Sequence, residues 1–560
     1  MALTKVTYSM ISGAAANVFD FGAVGNGVAN DTAAIQAAID SLGSGGTVYF
    51  PVGSYLCTSG LTVSDNNVTL EFSNGAALTY TTPTQILLTV TADNCQLLGA
   101  TINAPAVFDA TNAPIGYGIV KVQGENFTAD NCTINNVPRS GFWFDECSNA
   151  RVTNCRIDGG TTEALFSSSG PVHFGIVIDT PSTGSQGNYV IANNIIKRCV
   201  QGAASGSTGA ASFEQSMAVT GNVFEFCWNH GWYTSGLGNG ITVSGNAFNA
   251  CQIPIALTGK HHAVVGNTLT VQTSGSGSQY DNEWQGISLR DPVGCVVIGN
   301  VIKGEAPSGS AVISLEDLSG VTSTNDSCEN NIVSGNTIEI TNTTVASVAA
   351  IRIIAQSTKV VNNTICDNII KAPIRNQGGL IEIIGSGLAG FPSEGNSIDN
   401  NTIIFTGAGG NGAAIQVTGI LDSSIANNRI RIEFDSASAR VLGMIVFNAC
   451  ERLLISENQI RCSASFGANI SARAFEEQTS GVSNQVINNT INFNPTKLTS
   501  SSLFLLQTTS GTIVEHTGAD TPEGAIISGV GGLWKRTNGG AGTTLYVKES
   551  GTSNTGWVGK

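Results

Sequence analysis

The sequence predicts an all-β fold, a stack of parallel β-coils over roughly residues 84–515. Three observations predict it. A turn of the form Asn-x-apolar, usually after Gly, Asn or Cys, recurs as VTNCRI (152–157), IANNII (191–196), TGNVF (220–224), SGNAF (244–248), VGNTL (265–269), IGNVI (298–302), SGNTI (334–338), VNNTI (361–365), DNNTI (399–403), IANNRI (425–430), ISENQI (455–460) and VINNTI (486–491). Successive turns lie about 21–40 residues apart, the signature of a solenoid whose units bury their apolar faces only against their neighbours. A short strand motif precedes most of these turns, as in GFWFDE (141–146), FGIVID (174–179), GISLRD (286–291), VISLED (312–317) and AIQVTG (414–419). The third observation is composition: 67 Gly among 560 residues and only 12% charged residues, with few helix formers.

Side chains alternate on a strand, so every second residue of the strand motif faces outward. Aligned, the strands give one outward column of Lys121, Trp143, Val177, Tyr233, Ala256, Ser288, Ser314, Arg352 and Gln416. The next column reads Gln123, Asp145, Asp179, Ser235, Thr258, Arg290 and Glu316. A Gly/Ser-rich insertion obscures the strand within 197–221.

The formal net charge is −15 and no run of Lys or Arg occurs, which argues against nucleic acid as a partner. The opening MALTKVTYSMIS lacks the apolar core of a signal peptide, and no apolar run is long enough to insert into a membrane. The 13 cysteines follow no zinc or disulfide spacing; several, among them Cys95, Cys132 and Cys155, fall in the turn column and read as buried free thiols. No cofactor-binding fingerprint occurs in its required context, so neither cofactor nor metal is expected.

In chain order, residues 1–16 read as a leader and 17–83 as an N-terminal cap with the first coils. Asn30 or Asp31 caps a helix with Ala33, Ile35, Ala38, Ile39 and Leu42 on its apolar side, and Gly43 ends it. TVYFPVGSYL then gives strand, turn, strand. A helix at this point covers the open edge of the first coil. The coils occupy 84–515, and 516–560 form a small Gly-rich β-module with Trp534 and Trp557.

The stretch DFGAVGNGVANDTAAIQAAID, followed by GGTVYFPVGSY, closely resembles the opening of the pectate-lyase-like (pectin-lyase-like) β-helix family found in bacteriophage tailspikes. The segment 521–560 resembles a β-module that closes many phage tail proteins. The resemblance implies a right-handed single-stranded parallel β-helix, a homotrimer, attachment to a phage tail or baseplate, and a virion protein folded in the host cytoplasm. One such fold hosts hydrolases, lyases and binders, so activity must be argued from the site.

Four of the six Trp and four of the five His fall between 143 and 284. Sugar rings stack on aromatic faces, and their hydroxyls need Asp, Glu, Asn and Arg partners. The segments FWFDE (142–146), FEFCWNHGWY (224–233) and YDNEW (280–284) supply both kinds, so Trp143, Glu146, Trp232, Tyr233, Glu283 and Trp284 are candidate substrate contacts. Phe142 and Phe144 belong to the core. Glycoside cleavage usually takes two carboxylates. Asp145 and Asp179 share one column in consecutive coils, which stack about 4.8 Å apart. Such a pair raises one carboxyl's pKa, as a general acid requires; the alternative is a pair of solvated or ladder-bonded aspartates. Arg290, Asp291, Glu316 and Asp317 form a second cluster, with Glu316 a further candidate catalytic carboxylate and the others sugar contacts; Arg290 and Glu316 can equally be a surface ion pair.

The GHG and RIK motifs of plant-type polygalacturonases are absent; NHG stands at 229–231. The reading is a tailspike depolymerase, an endo-glycosidase that binds and cleaves a bacterial surface polysaccharide, capsule or O-antigen. A polysaccharide lyase and a non-catalytic receptor-binding spike stay open beside it. A bacterial pectinolytic enzyme is disfavoured by the missing signal peptide and the tail-like C-terminus.

Overall fold

The computed structural model describes residues 13–81, 86–105, 118–160, 174–180, 187–207, 213–235, 238–271, 285–304, 311–317, 327–341, 348–355, 358–373, 378–386, 392–406, 412–432, 444–462, 474–479, 483–493, 504–505, 512–518, 521–524 and 526–560. The chain forms two compact units, one of residues 1–258 with 274–281 and one of residues 259–273 with 282–560. Each is a parallel β-helix.

In the first unit three short strands make a coil. Gly118–Val122, Thr128–Asp130 and Thr133–Asn135 form one coil, and Ser140–Asp145, Arg151–Thr153 and Arg156–Asp158 form the next. All three strands pair parallel and in register with their successors, so Val120 meets Phe142, Ala129 meets Val152 and Ile134 meets Ile157. In-register stacking places like residues in columns, and the apolar columns are fully buried. Each such side chain contributes about 1.5–3 kcal/mol by leaving water.

The repeating turn has a physical explanation. Its Asn is buried and belongs to a ladder. Asn194 donates from its backbone and side-chain nitrogens to Asn222 Oδ1, and Asn222 does the same to Asn246. In the second unit the ladder runs Asn267, Asn300, Asn336, Asn368, Asn401, Asn428, Asn458, Asn489. The residue before each rung has positive φ, as at Asn193, Gly221, Gly245, Gly299 and Asn427. Glycine and asparagine tolerate this left-handed conformation best, which is why they precede the rung. The residue after the rung faces outward and the next one fills the core, as Asn401, Thr402 and Ile403 show.

The turn VNNTI (361–365) belongs to a different ladder, formed by Asn331, Asn363 and Asn396. Cysteine occupies rungs of both kinds. The Cys155 backbone nitrogen donates to Asn194 Oδ1, and Cys295 donates to Asn331 Oδ1. Cys95 lines up with Phe127 and not with Cys132, so the cysteine column read from the sequence is two columns. Twelve of the cysteines are free thiols, eleven of them buried.

At the start of the chain, helix Thr32–Asp40 buries Ile35, Ala38 and Ile39, with Leu42 just beyond; Ala33 faces solvent. Asn30 Oδ1 accepts from the Thr32 backbone nitrogen and hydroxyl, so Asn30 satisfies a free helix donor. Asp31, 1% exposed, instead accepts from the Val24 and Gly25 nitrogens and pins the preceding loop. The helix gives way at Ser41, before the left-handed Gly43.

In the second unit, Ile513–Gly518 pairs parallel with Leu533–Arg536, which continues antiparallel through Leu545–Lys548 to Trp557–Gly559. Trp534 and Trp557 are buried in this module. The Trp557 indole donates to Ile526 O, and Glu523 accepts from the Gly556 and Trp557 nitrogens. Among the described residues no helix is long and apolar enough to cross a membrane.

Candidate functional site

The outward columns of the first unit run as the alternation requires. Lys121 pairs with Trp143, Trp143 with Val177, and Asp145 with Asp179. Phe142 and Phe144 point inward and are fully buried. The two aspartates therefore stand one coil apart, on the order of 4.8 Å between strands, and three side chains tie them together. The Trp143 indole nitrogen donates to Asp179 Oδ2 at 2.8 Å. Asp145 Oδ2 accepts from Gln123 Nε2 at 2.9 Å and is ion-paired with Lys121 Nζ at 2.8 Å. The same ammonium lies 4.4 Å from the centroid of the Trp143 ring.

Burial pushes the Asp179 carboxyl above the usual carboxylate range; the Trp143 bond opposes the shift and the charge of Asp145 adds to it. The arrangement places a carboxyl biased toward its protonated form beside one held against a cation. Such a pair can give a proton on one side and take one on the other. Lys121 is a member of the cluster that motif reading passed over, although its place in the outward column was legible.

The strand hidden in the Gly/Ser-rich segment is Gln201–Ser207, paired with Phe174–Thr180 on one side and His230–Ser235 on the other. It inserts Ala204 between Val177 and Tyr233 in the column. Tyr233 is half-buried, with its ring centroid 4.5 Å from that of His230. Trp232, expected as a sugar contact, is 0% exposed and packs into the core, one residue before the outward Tyr233. Glu146 is exposed in the turn just after its strand, in a left-handed conformation. Glu283 and Trp284 lie outside the described residues.

The second cluster lies in the other unit. Arg290 and Glu316 are register partners, and Glu316 Oε1 accepts from the Ser314 hydroxyl. Asp291 and Asp317, expected as sugar contacts, are 3% and 1% exposed. Asp291 sits in a left-handed conformation within strand Ile287–Val293, Asp317 just after strand Ala311–Glu316, and each turns inward behind an outward residue. Asp317 Oδ2 accepts from the Thr358 nitrogen and hydroxyl at 3.0 Å each, a bond that braces the turn.

Further along the same face Arg352 pairs with Glu382, and Glu382 with Gln416. Arg352 Nε donates to Glu382 Oε2 at 2.6 Å, and Glu382 Oε1 accepts from the Gly379 nitrogen at 2.8 Å. The strand Gly379–Ile384 was missed in the alignment, although IEII (381–384) carries the same alternation as IRII (351–354).

Residues 15–256 match the family described as rhamnogalacturonase A/epimerase, pectate lyase-like. The matched stretch holds both aspartates. Among curated relatives, mannuronan C5-epimerase AlgE5 of Azotobacter vinelandii is 54% identical over 57 residues, 10% of this chain and 6% of that protein. Rhamnogalacturonase A of Aspergillus niger is 26% identical over 156 residues, 27% of this chain and 35% of that enzyme. The chain thus spans well under two thirds of the curated relatives it matches. Among solved structures, the Dettilon tailspike protein aligns with a TM-score of 0.43 and 18% identity, covering 58% of this chain and 68% of that one.

Proposed function

We propose that this protein is a polysaccharide depolymerase, an endo-acting glycosidase, and that it serves as the tailspike of a bacteriophage against a capsule or O-antigen. The observation that carries the enzymatic part is the Asp145–Asp179 register pair, with Lys121 on one carboxylate and Trp143 on the other. Asp179 gives its proton to the glycosidic oxygen as the bond to the anomeric carbon breaks. Asp145 stabilises the positive charge that develops on that carbon; a water's hydroxyl then joins the carbon and its proton returns to Asp179. The relatives' names point the same way, toward sugar polymers. The phage role rests on the resemblance of 17–56 and 521–560 to tail proteins, and a trimer and baseplate attachment follow from it.

A second reading, β-elimination from a uronate, is favoured by Lys121, whose ammonium beside Asp145 and over Trp143 is placed to neutralise a sugar carboxylate. One experiment separates the readings. The protein is incubated with a panel of capsules and O-antigens, with mannuronan and rhamnogalacturonan beside them, while reducing ends and the ultraviolet absorbance of unsaturated products are followed. Shortening without new absorbance supports hydrolysis. Shortening with absorbance assigns elimination. Binding without shortening leaves a receptor-binding spike.

A further inference from the structure

The face that carries the two aspartates continues past them into a step of small residues. Val177 pairs with Ala204 and Asp179 with Gly206, and these pair in turn with Tyr233 and Ser235. Strand Gln201–Ser207 therefore presents an alanine between Val177 and Tyr233 and a glycine between Asp179 and Ser235. Two coil steps, about 9.6 Å at the usual strand spacing, separate the strand of Asp179 from that of Tyr233. That width between two taller side chains suits the thickness of one sugar ring.

The far side of the step is built from Tyr233 and His230, whose rings lie 4.5 Å apart between centroids at 32°. Tyr233 faces outward, so the His230 ring shares that face. Gln201 is the register partner of His230. A Cβ on the next residue, Gly202, would meet the core side chains of Phe224 and Cys227 at 2.6 and 3.0 Å, so Gln201 points the other way, toward the outer face at the start of this strand. Gln201 is only 8% exposed, and its Oε1 has no hydrogen-bond partner among the described residues. Buried acceptors are normally satisfied, so this one points to a donor supplied by a ligand. A hydroxyl can donate to it; a carboxylate cannot.

We propose that strand Gln201–Ser207 is the floor of a pyranose subsite beside the aspartate pair. One uncharged, hydroxyl-bearing ring of the polysaccharide lies over Ala204 and Gly206, stacks on Tyr233 and donates a hydroxyl hydrogen to Gln201 Oε1. The inference rests on the reading that this face binds polysaccharide.

The test is calorimetric titration of the full chain with the oligosaccharides it releases, or with the intact polysaccharide if it binds without shortening. Tyr233→Ala, Gln201→Leu and Ala204→Leu should each weaken binding about tenfold or more, a difference of about 1.4 kcal/mol. Tyr233→Phe, which keeps the ring face, should recover most of what Tyr233→Ala loses. Thermal midpoints check that each variant is folded; if Ala204→Leu fails to fold, the Tyr233 and Gln201 variants decide. A wild type that binds polysaccharide with folded variants that bind equally well overturns the subsite alone. A wild type that neither binds nor shortens any polysaccharide overturns the proposed function and the subsite with it.

Discussion

The indole nitrogen of Trp143 donates to Asp179 Oδ2 at 2.8 Å across one coil step, so an aromatic side chain from one strand orients a carboxylate on the next. The bond acts against burial, which raises the Asp179 pKa. Removing the donor as Trp143→Phe should therefore raise that pKa further. The limb of the pH–activity profile set by Asp179 should move to higher pH, read from reducing-end release across a buffer series. A shift to lower pH, or none, would show that Asp179 does not set that limb.

Asp179 also makes a stability prediction. Its folded pKa lies above the unfolded value of about 3.9, so the folded state binds the proton more tightly. Stability then falls as pH rises from the unfolded value through the folded one. Asp179→Asn removes this loss, so its thermal midpoint relative to wild type should be higher at pH 7 than at pH 4 (both roughly bracketing the window). The same variant should lose about a hundredfold or more in cleavage, the usual contribution of a general acid. A midpoint difference that is the same at both pH values would refute the assignment of the buried charge.

The Arg352–Glu382 pair is a structural prediction in the second unit. Glu382 is 4% exposed and its charge is met by Arg352 Nε at 2.6 Å. Arg352→Met leaves that charge unpaired and should cost about 3–5 kcal/mol, measured by urea unfolding. Adding Glu382→Gln should recover most of the loss, because the amide oxygen can still accept from the Gly379 nitrogen. Equal destabilisation of the single and double variants would mean that packing of the Arg352 stem matters more than charge.

The ladder offers a sharper test of what holds the coils. Asn401 Oδ1 accepts from the Asn368 backbone and side-chain nitrogens, and Asn401 Nδ2 donates to Ile365 O and Asn428 Oδ1. Asn401→Ala strands several buried polar groups, at about 1–3 kcal/mol each. A loss of about 3 kcal/mol or more in denaturant stability is expected. The outward-facing, half-buried neighbour Thr402, changed to alanine, should stay within about 0.5 kcal/mol.

Much of the fold was legible because each coil repeats the same local instruction. Gly or Asn supplies a left-handed turn, Asn supplies a rung, and the second residue after it goes inward. The columns of Lys121, Trp143 and Val177 and of Asp145 and Asp179 follow from alternation alone. Gln201–Ser207 escaped because Ala, Gly and Ser carry no apolar contrast between faces. VNNTI was assigned to the wrong column because both ladders use the same turn chemistry.

The coil architecture, the register of the aspartate pair and the inward course of Phe142 and Phe144 are written in the residue order, since in-register stacking turns a local period into a position in space. Which polar residues meet is settled by the packed coils. Lys121 on Asp145, Trp143 on Asp179, Arg352 on Glu382 and Thr358 on Asp317 join residues 24–41 positions apart in sequence. Their contacts depend on the reach and rotamer of long side chains across a coil step, and on which neighbours cover them. A column assignment fixes where a Cβ starts, while packing fixes where the charged atom ends.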